Sequence, residues 1–245
     1  VAYHFDKIER GYDELIDVFG ADHSGYVKRM KAAVTALSNG SINLDIKLCQ
    51  LVRLFKNGSP YKMSKRAGNF VTLSDMVNEV GKDVVRFLML TRKNDAPLEF
   101  DFAKALEQSK DNAVFYVQYA HARCCSIINK ALELNIDVKN IELNKIKLVN
   151  LSSKSENRII RKIAEWPRVI EIAGISHEPH RLVSYLYELA SEIHGYQHEG
   201  KLNNKLKVLC EDDEILMARL VLIFVAKAVI GTGLRIVGVS PLTKM

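Results

Sequence analysis

No apolar run in this 245-residue chain reaches about 18 residues without a charge, so a membrane-spanning helix is not expected. The N-terminus has no signal-peptide pattern. The four cysteines are Cys49, the adjacent pair Cys124 and Cys125, and Cys210. None of them stands at zinc-ligand spacing, and neighbours on a helix point to different faces, so reduced thiols in a cytosolic protein are expected. The seven histidines form no HExxH and no CxxC-linked cluster, so no metal site built from protein ligands is expected. Internal repeats are absent. The chain also lacks an initiating Met, because Val1 opens directly on an amphipathic pattern, and this reads as a fragment of a longer protein. What is present is enough apolar residue, 48%, to build a packed core, which argues against disorder. The length suits one large domain or two ordinary ones. A net charge of +6 favours a polyanionic partner.

The densest chemistry lies in Tyr61-Lys62-Met63-Ser64-Lys65-Arg66-Ala67-Gly68-Asn69-Phe70. Lys62, Lys65 and Arg66 set up a positive potential suited to a polyphosphate, and small residues let the backbone approach a ligand. The alternative is a solvated basic surface loop. Asn57-Gly58 is a strong hairpin-turn signal just upstream, followed by Pro60, so the loop is expected to emerge from a hairpin. Downstream, Thr72-Leu73-Ser74-Asp75 reads as a capping box before a helix that Gly81 ends.

Elsewhere in the first hundred residues, Ala2–Arg10 has helical spacing. Leu15–Phe19 reads as a strand buried in a parallel sheet, and Leu44–Leu48 as a half-buried strand that Leu51–Phe55 continues in extended form. Between the first two strands lies Gly20-Ala21-Asp22-His23-Ser24-Gly25-Tyr26. Gly20 permits close backbone approach, Asp22 can accept from ribose hydroxyls, and His23 offers a flat polar ring. Ser24 is a candidate helix cap. An ordinary strand-to-helix turn is the alternative. Asn94–Phe100 reads as a connector and a domain boundary. Beyond it a helix is expected over Phe102–Leu134, then one broken at Trp166-Pro167, one starting at Glu178-Pro179, and a last one over Asp212–Ile230 that stops at Gly231. This half predicts a bundle of four to six helices.

The run Lys62-Met63-Ser64-Lys65-Arg66 resembles the signature loop of class I aminoacyl-tRNA synthetases. Together with Ala2-Tyr3-His4-Phe5-Asp6-Lys7, the Gly20–Tyr26 turn and Val117-Gln118-Tyr119-Ala120-His121-Ala122-Arg123, it resembles the arginyl-tRNA synthetase family across essentially the whole chain. Glu178-Pro179-His180-Arg181-Leu182 and the Gly-Val-Ser-Pro…Met ending add to this. The resemblance implies α/β plus all-α architecture. Residues 1-100 would be the C-terminal half of a Rossmann-like parallel-sheet catalytic domain, and residues 101-245 a helical-bundle anticodon-binding domain. It also implies a cytoplasmic monomer that uses ATP with Mg²⁺ to activate L-arginine and then transfers it to tRNA(Arg).

On this resemblance, Lys62, Ser64, Lys65 and Arg66 would be catalytic at the phosphates. Gly20, Asp22, His23 and Met63 would bind ATP. Tyr3 and Asp6 would meet the substrate guanidinium, which needs a carboxylate, unless Asp6 is only a helix-surface ion pair. Tyr116, Tyr119, Arg123, Tyr196 and Met245 would bind tRNA, aromatic faces stacking on bases and cations meeting phosphates. The alternative for Tyr116 and Tyr119 is a place in the core. The family's HxGH-type motif is absent from the sequence, so the chain alone is expected to be inactive and to leave strand edges and apolar faces uncovered in residues 1-100. The competing readings are a non-catalytic tRNA-binding module and another class I synthetase such as the cysteinyl enzyme. Missing zinc-ligand cysteines and the Gln118–Arg123 stretch argue against the latter.

Overall fold

A computed structural model describes residues 1–61, 70–138, 142 and 145–245. Two compact units result, one formed by Val1–Tyr61 with Arg92–Asp101 and the other by Lys62–Thr91 with Phe102–Met245. Residues 70–91 group with the helical unit, and residues 92–101 with the first.

In the first unit, helix α1 (Ala2–Glu9) is followed by strand β1 (Glu14–Gly20), a 3-10 turn (Ala21–Tyr26), helix α2 (Val27–Leu37) and strand β2 (Asn43–Cys49). β1 and β2 pair in parallel, Glu14 opposite Asn43 through Gly20 opposite Cys49. Leu15, Leu44 and Val34 form the core beneath them. β1 is not buried on both faces. Its side chains alternate, with Leu15 and Asp17 inward and Ile16 and Val18 outward, 44% and 67% exposed. Strand β3 (Val52–Lys56) turns through Asn57 and Gly58 into β4 (Ser59–Pro60), antiparallel. Both turn residues have positive φ, 53° and 75°, the geometry that Asn-Gly accommodates. The expected connector at 94–100 contains strand β5 (Leu98–Asp101), parallel to β3. Pro97 stands just before it, where a missing N–H breaks no ladder bond. Asn94 locks the approach, donating from Nδ2 to Leu48 O at 2.8 Å and accepting from Gln50 N at 2.7 Å.

The second unit is helical. It contains α3 (Leu73–Val80), α4 (Lys82–Met89), α5 (Phe102–Leu106), α6 (Ala113–Glu133), α7 (Lys154–Ser176), α8 (His180–Leu202) and α9 (Asp213–Ile236). Thr72 and Asp75 form the expected capping box of α3. The long helix expected from residue 102 is interrupted, because Asn112 turns its amide back and donates to the carbonyls of Ala105 and Glu107. Periodicity alone cannot see such a competing side-chain bond. Pro167 does not break α7. Tyr185 on α8 donates its hydroxyl to Lys162 O at 2.7 Å, and its ring packs on Trp166 at 5.3 Å, so tertiary contacts hold the helical turn that runs into the proline.

Helix α9 is long and apolar enough to cross a membrane by length and composition, yet 61% of its apolar window is buried in the bundle. It does not stop at Gly231. A Cβ on Gly231 would lie 3.0 Å from His121 Nε2, and one on Gly233 would lie 2.6 Å from Leu186 Cδ2. These glycines serve close packing against α6 and α8, not termination. At the bundle's centre Arg219 on α9 donates from Nε to Glu156 Oε1 on α7 at 2.6 Å and from Nη1 to the carbonyls of Lys205 and Lys207, each at 2.8 Å. Tyr196 on α8 donates to the same Glu156 oxygen at 3.3 Å.

Candidate nucleic-acid interface

Helix α6 presents Tyr119, Arg123, Ser126, Asn129 and Lys130 along one side. With Lys201 of α8 and the tail residues Thr243, Lys244 and Met245 they line an open groove of about 610 Å³. A second groove of about 340 Å³ shares Arg123, Ser126, Lys130 and Lys201 and continues to Gln197 and Lys207. The surface therefore concentrates Arg123, Lys130, Lys201, Lys207 and Lys244 against the Glu133 carboxylate that also lines it, a net positive potential suited to phosphates.

The tail reaches this groove because it is strapped down. Gln118 donates from Nε2 to Ser240 O at 2.9 Å, and His121 donates from Nδ1 to Leu242 O at 2.7 Å. Ser240 N donates to Asp83 at 2.9 Å, and Arg86 donates to Val237 O. Gly238 takes φ +73° and passes so close to Arg86 that a Cβ would lie 2.2 Å from Nε. His121 is buried among these contacts. Burial pushes its imidazole below the ordinary value, the Leu242 carbonyl opposes this, and the Lys227 and Arg235 charges add to it.

Tyr119 is 39% exposed and stacks on Phe115 at 5.8 Å and on His194 at 5.5 Å. The Arg123 guanidinium carbon lies 5.4 Å from the Tyr119 ring centre. An exposed ring with a guanidinium over it is a platform of the kind that meets nucleobases, since both the ring and the planar guanidinium can stack on a base. Tyr116 is half-buried, its ring held between Tyr187 at 5.0 Å and His194 at 4.4 Å. It supports the platform from behind. Tyr196 is a correction. Its ring is fully buried and its hydroxyl engages Glu156, so it has no face to offer a base. Met245 is exposed at the groove's rim. The residue that sequence reasoning missed is His194, whose only signal was its place on the inward side of α8.

In the other unit, Gly20 is the last residue of β1 and Asp22 and His23 follow it in the 3-10 turn, at the end where both parallel strands finish. Ligands in open α/β sheets bind outside that end. Asp22 folds back over Gly20, where a Cβ would come within 2.5 Å of its Oδ1. Asp22 Oδ2 is 3.7 Å from His23 Nε2, and His23 lies between Phe19 at 5.8 Å and Tyr26 at 6.0 Å. Ser24 does not cap α2, which starts without a side-chain cap because the 3-10 turn runs straight into it. Tyr3 is exposed, with Lys7 Nζ 4.6 Å over its ring. Asp6 is 65% exposed and pairs with Arg10 at 3.2 Å, one helical turn on.

The buried carboxylate of this unit is Asp17, held by His4 Nε2 at 2.6 Å and Lys7 Nζ at 3.1 Å. Burial would raise its carboxyl, but His4 and Lys7 outweigh that and hold it below the usual range. The signal was available, since Asp17 shares a strand face with Leu15. Lys62, Met63, Ser64, Lys65 and Arg66 lie outside the described residues. Among the described residues no cluster of His, Cys, Asp or Glu could hold a metal.

Residues 117–245 match the family described as the DALR anticodon binding domain. The whole chain is 56% identical to the arginine–tRNA ligase of Ruegeria pomeroyi, and covers 42% of that protein. A solved Campylobacter jejuni chain named as an arginyl-tRNA synthetase aligns with 99% of this chain at 32% identity, with a TM-score of 0.81 and half of its own length covered. Thermus thermophilus arginyl-tRNA synthetase shares the fold at 21% identity and a TM-score of 0.70, over 95% of this chain and 41% of its own. The chain thus spans less than half the length of the curated relative it matches.

Proposed function

The chain belongs to the DALR anticodon-binding domain family, and from that membership we propose that it is the tRNA-binding part of a cytoplasmic, monomeric arginine–tRNA ligase, with an adjoining piece of its catalytic domain. The observation that carries the reading is the Tyr119–Arg123 platform at the mouth of a groove lined by Lys130, Lys201 and Lys244. Stacking rings and cations on one face are what a single-stranded RNA loop requires. Met245, delivered to the same groove by the strapped tail, adds an apolar contact.

In this reading residues 1–100 supply the second half of a Rossmann-like domain. Gly20, Asp22 and His23 meet the adenosine of ATP at the carboxyl ends of β1 and β2. Lys62, Ser64, Lys65 and Arg66, with Met63 against the nucleotide, stabilise charge on the phosphates, and Mg²⁺ accompanies ATP. Tyr3 and Asp6 serve the L-arginine side, which requires Asp6 to give up Arg10. The whole enzyme joins arginine to AMP with loss of pyrophosphate, then transfers the aminoacyl group to tRNA(Arg).

Fluorescence anisotropy with a tRNA(Arg) anticodon stem-loop tests the proposal. The chain is expected to bind it in preference to a stem-loop with another anticodon. Tyr119→Ala should weaken binding by about 1–3 kcal/mol, roughly 5- to 150-fold. Arg123→Ala should weaken it and reduce the slope of log affinity against log salt by about 1. Equal binding of both stem-loops, or indifference to both substitutions, would remove the platform from the RNA site.

A further inference from the structure

His194 stands behind the platform, on α8, and contacts Tyr116, Tyr119 and Arg123. Its ring lies 4.4 Å from Tyr116 and 5.5 Å from Tyr119. Its Nε2 is 3.0 Å from the Tyr116 carbonyl, and its Nδ1 is 3.1 Å from Arg123 Nη1. A carbonyl oxygen only accepts and a guanidinium only donates. The two partners therefore assign the ring completely, with the proton on Nε2 and a bare Nδ1 that accepts from Arg123.

We infer that His194 is a positioning residue of the RNA-facing surface: its unprotonated Nδ1 fixes the Arg123 guanidinium beside the Tyr119 ring before any RNA arrives. The inference rests on the tRNA reading above. Arginine is a long side chain whose ordering on binding is costly, and a neutral acceptor that already holds it removes part of that cost. A carboxylate in the same place would hold Arg123 too, but would cancel the charge offered to phosphate. A neutral imidazole holds the guanidinium and leaves its charge intact, and the remaining N–H groups stay free to meet the ligand. The neutral state fits its surroundings. Burial pushes the imidazole below its ordinary value, the Tyr116 carbonyl opposes this, and the Arg123 charge reinforces it.

Two substitutions separate positioning from packing, because asparagine places an oxygen where Nδ1 stands and glutamine places its amide nitrogen where Nε2 stands. With the tRNA(Arg) anticodon stem-loop as probe, His194→Asn should bind within about twofold of wild type, while His194→Gln should bind roughly 2- to 13-fold more weakly. Equal loss in both, equal retention in both, or the reverse order would overturn the inference, since a packing role does not distinguish the two nitrogens. Long-range ¹H–¹⁵N NMR of the wild-type chain near neutral pH should show the Nε2–H tautomer. An Nδ1–H or doubly protonated ring would also overturn it. If wild type fails to bind the stem-loop at all, the tRNA reading falls and takes the RNA role with it, while the tautomer measurement, which needs no RNA, still decides the Arg123 contact separately.

Discussion

At the scale of single residues, the groups that matter most are those whose charge is answered inside the protein. Glu156 and Arg219 are both buried, and Arg219 directs its Nε at the Glu156 carboxylate and its Nη1 at the Lys205 and Lys207 carbonyls. Burial would raise the Glu156 carboxyl, but the Ser153 backbone N–H, Arg219 and the Ser153 hydroxyl together keep it below its ordinary value. Such a pair adds little against a well-packed apolar substitute, yet removing one member strands the other. Glu156→Ala should therefore cost about 3–5 kcal/mol in urea unfolding, because Arg219 keeps its charge with only carbonyls for company. A loss below about 1 kcal/mol would show that water reaches the pair. Tyr196 belongs to this network, and that is why an aromatic residue that reads as a base-stacking candidate in sequence does not serve as one.

At the scale of elements, glycines separate propensity from packing. Gly174 in α7 and Gly195 in α8 have open space where a Cβ would stand. Alanine at either should gain up to about 1 kcal/mol, the usual helix-propensity difference. Gly233 in α9 has Leu186 within 2.6 Å of that point, and Leu186 is fully buried. Gly233→Ala should instead lose about 1–3 kcal/mol through overpacking, despite the same gain in propensity. Thermal midpoints of the three variants check the contrast, and a stabilised Gly233→Ala would mean that α8 and α9 can part without cost. The same physics carries α7 through Pro167, where the contacts of Lys162 and Trp166 with Tyr185 of α8 outweigh what the proline removes.

At the scale of the whole molecule, the buried histidines His121 and His194 and the carboxylates Glu156 and Asp17 all make acid a weak side. His121 and His194 sit below their ordinary 6.5 in the folded helical unit, so the native state binds fewer protons than the unfolded chain. Their contribution is complete above that value and is lost as pH falls through their folded values. Glu156 and Asp17 are also held low, so theirs follows at lower pH still. The urea midpoint should fall between about pH 7.5 and about pH 5.5, before any carboxylate titrates. His121→Gln together with His194→Asn should flatten that part of the curve. An unchanged slope in the double variant would place the acid sensitivity elsewhere.

The sequence by itself determined the local features. Asn57-Gly58 made its turn, Thr72 and Asp75 made their box, and α1, β1, β2 and the Gly20–Tyr26 turn appear in the expected order, since each follows from chemistry within a few residues. The arginyl-tRNA synthetase resemblance was legible for a similar reason, as it rests on short ordered motifs. Tertiary structure alone decided what depends on partners distant in the chain. It decided that Asp17 and not Asp6 is the buried carboxylate, that α9 runs past its glycines, and that Asn112 divides the long helix. It also decided that Tyr119 faces out while Tyr196 faces in. Helical spacing gives each aromatic a side of its helix, but only the packing of α6, α7, α8 and α9 determines which side meets water. The strapped tail and His194 follow the same rule, because bonds from Gln118 to Ser240 and from Arg123 to His194 join residues that no local pattern connects.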